Sequence, residues 1–466
     1  MTKYDVAVVG GGPGGYAAAL RLAQLGRRPV LFEEARVGGE CTNWGCIPTK
    51  ALISMANLLE KFRRASEQGI HASDVRLDWK KLQAWKEGVV NRLVSGIEYL
   101  LNSYGVELVR GRAVLAGERR VKVVSGERLG VFEVDQVVLA TGSRPATLPA
   151  LPLDGEYIIS SREAVTLQDI PSSMVVVGGG VVGVELGTMY RKLGVEVTIV
   201  EVMDQILPGV DPELVRVVSR SLQSRDVKVL LRSTVTECTR AGGGLRLRVN
   251  TPHGPLELFT EKVLVAVGRR PRSQDMGLEE LGVEMDPRGF VKTDRQTRTN
   301  LPWLYAIGDV AGPPLLAHKA YREAQVAAEA SCGRKSALDY RALPDVIFSD
   351  PEVARVGLTE DEARSRGLEP VVARYPFAAL GRALTSAETE GFVKIVADKA
   401  SGQLLGAAIV GPHASDLISE LALAIEMGAT VADIALTIHP HPTFPEAVME
   451  ACASAWGQPL HQVKAR

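Results

Sequence analysis

Apolar residues recur along this chain at two spacings, and the spacing switches at glycines. Residues 5–9 form a short apolar run that reads as a buried strand, and GGGPGG follows it. An amphipathic helical stretch then runs to about Leu25, Gly26 ends it, and an apolar strand at 29–32 closes on Glu33. A long helical region spans about 51–104 with a break near 69–78. From 106 to 138 the pattern alternates in short strand-like runs, with turns expected at Gly111, Gly117 and Gly126. This part ends on VVLATGSRP, in which Gly142 follows a buried strand, and the Pro-rich residues 147–155 read as a linker.

The opening pattern then returns. A strand at 174–177 leads to Gly178, Gly180 and Gly183, a helix runs to Leu193, and a strand at 197–200 ends in Glu201. In each copy the acid stands 23 positions after the first glycine (33 − 10 and 201 − 178). Strand, G-x-G-x-x-G, helix, strand and acid together form the dinucleotide fingerprint. Gly10 makes the turn, Gly12 lets the backbone approach a pyrophosphate, and Gly15 lets helix and strand pack; Gly178, Gly180 and Gly183 repeat these roles. One duplicated domain with a dead copy is the alternative, but both copies are complete, which favours two ligands. The second copy closes on VLVAVGRRP, with Gly268 in the place of Gly142. A carboxylate at Glu201 suits a ribose 2′-hydroxyl and repels a 2′-phosphate, and residues 202–208 include no Arg or Lys, so NAD is favoured over NADP.

Another apolar strand, WLYAIGDVAG at 303–312, ends in Gly-Asp. Asp309 there either caps a helix or binds the polyol of a larger cofactor. A helix opening at Leu316-Ala317-His318-Lys319 runs to about Ser331. After Leu343 the texture turns α+β, with strands around 391–397 and 404–410, a helix over 416–427 and a terminal segment 439–446.

The stretch GGECTNWGCIPTK, residues 38–50, carries two cysteines five positions apart at a helix entry. A regular helix would separate their Cα atoms by about 7.5 Å along its axis, beyond the roughly 7 Å that a disulfide tolerates. A bridge between Cys41 and Cys46 therefore requires a distorted helix, and Gly45 supplies that freedom. Pro48 suits the first turn of the helix that follows, and the helix dipole favours a thiolate at its start. Two unrelated buried thiols are the plainer alternative.

Composition narrows the partners. Charges nearly cancel, with 54 Lys+Arg against 55 Asp+Glu, which argues against nucleic acid or a membrane as the main partner. No apolar run approaches the roughly 18 residues of a membrane span. Five cysteines form no disulfide framework and suit a reducing compartment; Cys238, Cys332 and Cys452 are expected as small core residues. With a strand beginning so close to Met1, no leader is expected, and a cytoplasmic location follows.

GGECTNWGCIPTK, the two fingerprints, AIGDV, LAHKA and HPHPTFPE occur in an order that resembles the flavin-dependent disulfide oxidoreductases over essentially the whole chain, and most closely the branch that oxidises dihydrolipoamide. The resemblance implies an α/β fold: two Rossmann-like dinucleotide-binding domains, for FAD at 1–146 and for NAD at 147–268, a central domain at 269–342, and an α+β dimerisation domain at 343–466. It implies FAD on Gly10, Gly12, Gly15 and Glu33, with Asp309 on the ribitol and Gly142 and the Ala317-His318 backbone near the flavin. NAD is implied on Gly178, Gly180, Gly183, Glu201 and Gly268.

By the same resemblance Cys41 and Cys46 are a redox-active disulfide, Cys41 attacking substrate sulfur and Cys46 lying beside the flavin. Lys50 and Glu185 match an ion pair near the flavin; taken alone they read as a surface lysine and a helix acid. His441 resembles an acid–base histidine oriented by Glu446 and supplied by the partner of a homodimer. Thr443 to Glu446 also spells a capping box, in which Glu446 would serve the helix start. His439 with His441 lacks a third metal ligand. The implied partners are a lipoyl domain and the E2 component of a 2-oxo acid dehydrogenase, or a glycine cleavage complex. A glutathione-type or mercuric reductase, and a flavoprotein that binds a partner without dithiol turnover, are the alternatives. Three positions depart from the family pattern: Trp44 for a small aliphatic residue, Thr49 for Ser, and Pro440 for Ala.

Overall fold

The structure, a computed structural model, describes residues 4–71 and 73–463. They fall into two compact units, one of residues 1–171 and 262–339, the other of residues 172–261 and 340–466.

In the first unit, β1 (Val6–Val9) leads through the glycine loop to α1 (Pro13–Gln24) and β2 (Pro29–Glu33). Then come α2 (Gly39–Asn43), α3 (Cys46–Arg64) and α4 (Trp79–Ser103), the last capped by Asp78, whose carboxylate accepts from Lys81 N (3.0 Å). Four strands follow: β3 (Glu107–Leu115), β4 (Arg120–Gly126), β5 (Gly130–Glu133) and β6 (Gln136–Leu139). The short elements β7 (Ser143–Pro145), β8 (Ile158–Ile159) and α5 (Ser161–Ala164) complete residues 1–171.

Gly111 lies inside β3 and not in a turn. A side chain at Gly111 would meet Ser125 O at 2.3 Å, and β3 and β4 lose register between Arg112 and Ala113. Here glycine serves close backbone approach in a bent strand, which a reading of glycine as a turn signal misses.

The second unit opens with the repeated pattern: β9 (Ser173–Val177), α6 (Val181–Lys192), β10 (Glu196–Val200), α7 (Pro212–Ser224) and β11 (Lys228–Leu230). β9, β10 and β11 pair in parallel. An antiparallel meander follows, β12 (Thr234–Ala241), β13 (Gly244–Thr251) and β14 (Gly254–Thr260). The two ends of this excursion meet: Ser172 N and Oγ donate to Glu261 Oε2 at 2.8 and 2.9 Å.

Back in the first unit, β15 (Lys262–Val265) pairs with β8, β16 (Arg269–Pro271) pairs with β7, and β17 (Leu304–Ala306) precedes α8 (Ala317–Ser331). The two echoing stretches VVLATGSRP and VLVAVGRRP are thus joined directly, through β7 and β16. A seven-stranded sheet orders β17-β6-β1-β2-β3-β4-β5, parallel through β3. β1 and β2 within it are buried on both faces, so they read as unbroken apolar runs. Val6 and Val8 face α1, α4 and α8, while Ala7 and Val9 face the opposite core with Phe32 and Phe132.

The rest of the second unit comprises β18 (Asp345–Ile347), β19 (Glu352–Gly357), α9 (Glu360–Ser365), β20 (Pro370–Pro376), α10 (Gly381–Ser386), β21 (Phe392–Asp398), β22 (Leu404–Gly411), α11 (Ala414–Met427), α12 (Val431–Leu436) and α13 (Glu446–Ala455). Its strands form an antiparallel sheet, β18-β19-β22-β21-β20, over a core shared with α11 and α13. Cys452 is fully buried there as expected. Cys238, on β12, and Cys332, past α8, are only half-buried, because one lies on a thin meander and the other at a helix end. No helix among the described residues is long and apolar enough to cross a membrane.

Candidate active site

The first glycine loop is built by exclusion. Gly10 has φ +101°, and a Cβ there would stand 2.3 Å from Ala140 O; one on Gly15 would stand 1.7 Å from Gly10 O. Gly12 begins α1 in extended conformation with no side-chain cap, so the first-turn amides remain available to an anion. Glu33 at the end of β2 is buried; Oε2 accepts from Gly11 N (2.7 Å) and Oε1 from Ala35 N (2.8 Å). Burial pushes its pKa up, while those two bonds pull against the shift. Past the carboxyl ends of the strands lies a cavity of about 310 Å³, lined by Gly10, Phe32, Glu33, Thr141 and Arg272. A bare-backbone loop, a helix start and a carboxylate around one cleft fit the pyrophosphate and ribose of a dinucleotide.

The second loop repeats this bond for bond. Gly178 has φ +108°, a Cβ on Gly183 would lie 1.9 Å from Gly178 O, and Gly180 begins α6 without a cap. Glu201 accepts from Gly179 N (2.6 Å) and Met203 N (2.8 Å). Glu185 is buried on α6 and accepts from Phe348 N (2.9 Å).

Between α2 and α3 the helix breaks as the cysteine spacing requires. α2 ends at Asn43, whose amide donates to Val37 O (3.1 Å) and Gly39 O (2.9 Å); α3 restarts at Cys46. Gly45 takes φ −117° and ψ −108°, and a Cβ there would press on Glu40 O at 3.1 Å. Cys41 and Cys46 are both thiols, and their side chains hydrogen-bond to each other. That bond, then burial and the neighbouring Cys46 charge, drive the Cys41 pKa up, while Lys50 pulls it down. Lys50 lies four residues after Cys46 on the same helix, and Cys46 stands at that helix's positive end.

Two features here carry no local signal. Tyr16 and Tyr321 join their hydroxyls at 2.7 Å, and both phenols are pushed up, first by burial, with Cys41 contributing. Arg162 stacks on Trp44 and pairs with Glu40.

Asp309 lies in a short 3₁₀ turn, Gly308–Ala311, and accepts from Ser143 Oγ, so its carboxylate is not spent on capping. Behind it the buried Lys319–Glu323 pair (2.7 Å) holds Gly308, whose N–H donates to Glu323 Oε2 (2.6 Å). Burial raises the Glu323 pKa, with Lys319 opposing the shift. Gly142 and Gly268 both take positive φ, +74° and +104°, and their carbonyls accept from Arg272 N and Ala146 N at 2.9 Å. Ala317 is the first residue of α8, and His318 beside it is exposed.

In the second unit His441 Nδ1 lies 2.8 Å from Glu446 Oε1 while Thr443 N donates to Glu446 Oε2 (2.7 Å). Glu446 thus meets both of the partners the sequence offers it, one on each oxygen. The full capping box does not form, because the Thr443 hydroxyl donates to Pro440 O instead. Burial works to raise the Glu446 pKa, but the bonds from Thr443 and His441 outweigh it and the net shift is downward. A proton on Nδ1 shared with a carboxylate leaves Nε2 as the basic nitrogen, on an imidazole that is 77% exposed. His439 is engaged elsewhere, with Glu420 Oε1 (3.0 Å) and Thr437 O (2.8 Å). Among the described residues no group of three or more His, Cys, Asp or Glu is placed to hold a metal ion.

Comparison with known proteins agrees with this architecture. Residues 4–324 match the pyridine nucleotide-disulphide oxidoreductase family, and residues 343–452 match its dimerisation domain. The chain is 45% identical to the dihydrolipoyl dehydrogenase of Halobacterium salinarum, covering 99% of this chain and 98% of that protein. It is 44% identical to the dihydrolipoyl dehydrogenase of Geobacillus stearothermophilus, covering 98% and 97%. Among solved structures it is similar to LpdA from Mycobacterium tuberculosis, with a TM-score of 0.89 at 28% identity over 96% of this chain and 99% of that one.

Proposed function

The chain belongs to the pyridine nucleotide-disulphide oxidoreductases, and from that premise we propose that it oxidises protein-bound dihydrolipoamide to lipoamide and reduces NAD⁺ to NADH. The observation that carries this reading is the Cys41–Cys46 pair, held sulfur to sulfur at a helix break beside Lys50.

In the oxidised pair, Cys41–Cys46 is a disulfide exposed to substrate. Nε2 of the partner subunit's His441 takes a proton from one substrate thiol, and the thiolate attacks Cys41 Sγ. Cys46 leaves as a thiolate, stabilised by the start of α3 and by Lys50. The second substrate sulfur then attacks its own neighbouring sulfur and closes the product disulfide, its proton passing to Cys41, which is released as a thiol. Two electrons now reside on the cysteine pair. Glu446 holds the imidazole in the tautomer that can accept the proton.

FAD, when bound, supplies a two-electron carrier between the dithiol and NAD⁺. Gly10, Gly12, Gly15 and Glu33 would hold its adenosine half, Asp309 its polyol, and Gly142 and Ala317 would border the ring. Gly178, Gly180, Gly183, Glu201 and Gly268 would hold NAD⁺, with Glu185 near its nicotinamide. We take the working unit to be a homodimer, formed through the dimerisation domain, that acts on lipoyl domains of a 2-oxo acid dehydrogenase or glycine cleavage complex in the cytoplasm.

The test is the initial rate with dihydrolipoamide and either NAD⁺ or NADP⁺. Fast NADH formation with little NADPH is expected, and His441→Gln should lower kcat by about 10²–10⁴-fold with FAD retained. An FAD-loaded protein that does not turn over dihydrolipoamide, or an unimpaired His441→Gln, overturns the assignment.

A further inference from the structure

The segment bearing Cys41 and Cys46 is gripped by a side chain that the chemistry above leaves without a task. Arg162 lies on α5, whose entry is fixed by a reciprocal cap: Ser160 N donates to Glu163 Oε2 (2.9 Å), and Ser160 Oγ accepts from Arg162 N (3.2 Å). The guanidinium carbon of Arg162 stands 4.2 Å from the centre of the Trp44 ring, and Nη2 lies 2.6 Å from Glu40 Oε2. Both residues stand on the amino-terminal side of the break, Glu40 within α2 and Trp44 at its end. Glu40 immediately precedes Cys41, and Trp44 precedes the Gly45–Cys46 step. They are also joined through the backbone, Trp44 N donating to Glu40 O (2.9 Å).

The second Glu40 oxygen faces another guanidinium. Oε1 is buried without a hydrogen bond among the described residues, and Arg269 Nη2 stands 3.9 Å away. Arg269 donates to Ser143 Oγ (2.7 Å), which donates to Asp309. Glu40 is therefore fixed from two sides, and a polar chain runs from the redox segment to the residue proposed to hold the polyol. A planar guanidinium can stack on a ring and bind a carboxylate together, which an ammonium cannot do as well.

We propose that Arg162 is a positioning residue for the redox pair: stacked on Trp44 and paired with Glu40, it holds the turn in the geometry that keeps the two sulfurs in contact, and so favours the disulfide over the dithiol. An unbroken helix would place the Cα atoms too far apart for a bridge, so the break has to be maintained for the disulfide to close. Preorganisation of this kind raises the effective concentration of one thiol at the other. The proposal rests on reading Cys41–Cys46 as the redox pair, and its test does not depend on the identity of the substrate.

Holoenzyme is equilibrated in buffers of graded reduced and oxidised glutathione, alkylated, and scored by mass spectrometry for the Cys41 and Cys46 peptides. The reaction is balanced: the protein disulfide and two reduced glutathiones give the dithiol and one oxidised glutathione. Arg162→Ala should weaken the protein disulfide about tenfold, an upward shift of about 30 mV for a two-electron couple. Trp44→Val and Arg162→Lys, each of which spares one half of the grip, should weaken it about threefold. A wild-type equilibrium in Arg162→Ala overturns the proposal. So does full rescue by Arg162→Lys, because charge alone would then suffice. If Arg162→Ala fails to fold or loses FAD, Trp44→Val decides, and an unshifted equilibrium there overturns the proposal. Failure of the wild type to oxidise dihydrolipoamide would sink the function proposed above and leave this equilibrium measurable.

Discussion

The two glycine loops use nearly the same internal bonds and differ in what surrounds them. In both, a carboxylate at the end of the second strand accepts two backbone N–H groups, and the third glycine packs on the first. The first loop is enclosed by later parts of its own unit. A Cβ on Gly14 would press on Ile307 and Ala320 at 3.3 Å, and Gly12 lies against Gly39. The second loop meets less chain at its helix start, where a Cβ on Gly180 would find nothing within 4 Å. One motif is thus packed more closely at its helix start in the first copy than in the second, in keeping with the proposed division between a retained FAD and an exchanging NAD⁺. What differs is the chain brought against the loop, not the loop itself.

The largest test of this difference is steric. Gly15→Ala should cost roughly 3 kcal/mol or more, since the added methyl cannot coexist with Gly10 O, and the protein should lose FAD or fail to fold. Gly183→Ala meets the same clash but should abolish NAD⁺ binding while the chain stays yellow. Flavin absorbance per chain and an NAD⁺ titration separate the two; equal FAD loss from both variants breaks the comparison. Next in size, Glu201→Gln should cut the preference for NAD⁺ over NADP⁺ in kcat/KM about tenfold or more, from loss of a charged acceptor, while Glu33→Gln leaves that ratio unchanged.

The smallest effect is a pH dependence in the enclosed loop. The folded-state pKa of Glu33 is raised above its ordinary 4.5. Below that value the residue is neutral in both folded and unfolded chains. As pH rises past it, the unfolded chain ionises first, so folding stability falls until the raised value is passed and then levels off. Chemical denaturation across this window should show wild type losing stability relative to Glu33→Gln; a difference that does not change with pH would contradict the burial of that charge.

Much of this organisation was legible because it is local. The fingerprints announce themselves through glycine spacing and buried apolar runs, and the helix break follows from two cysteines five positions apart with a glycine between them. The opposing claims on Glu446 were legible too, since both partners lie within five residues. What escaped is held across long separations: Arg162 to Glu40 over 122 positions, Tyr16 to Tyr321 over 305. A lone Arg or Tyr has no periodicity to betray its partner. Gly111 was misread for the opposite reason, since glycine marks a turn and a tight strand crossing equally well in sequence.

The Ser172–Glu261 contact has a consequence for engineering. A stretch whose first and last residues touch can be exchanged for a longer or shorter one without changing the gap that the remaining chain must bridge. Residues 172–261, which carry the second glycine loop and Glu201, therefore form a segment that can be exchanged as one piece. A graft from a relative of different nucleotide preference would need to keep fasteners to the carboxyl-terminal sheet region such as Lys192 with Asp350 and Asp211 with Lys394, whose lysines are buried and intolerant of losing their partners.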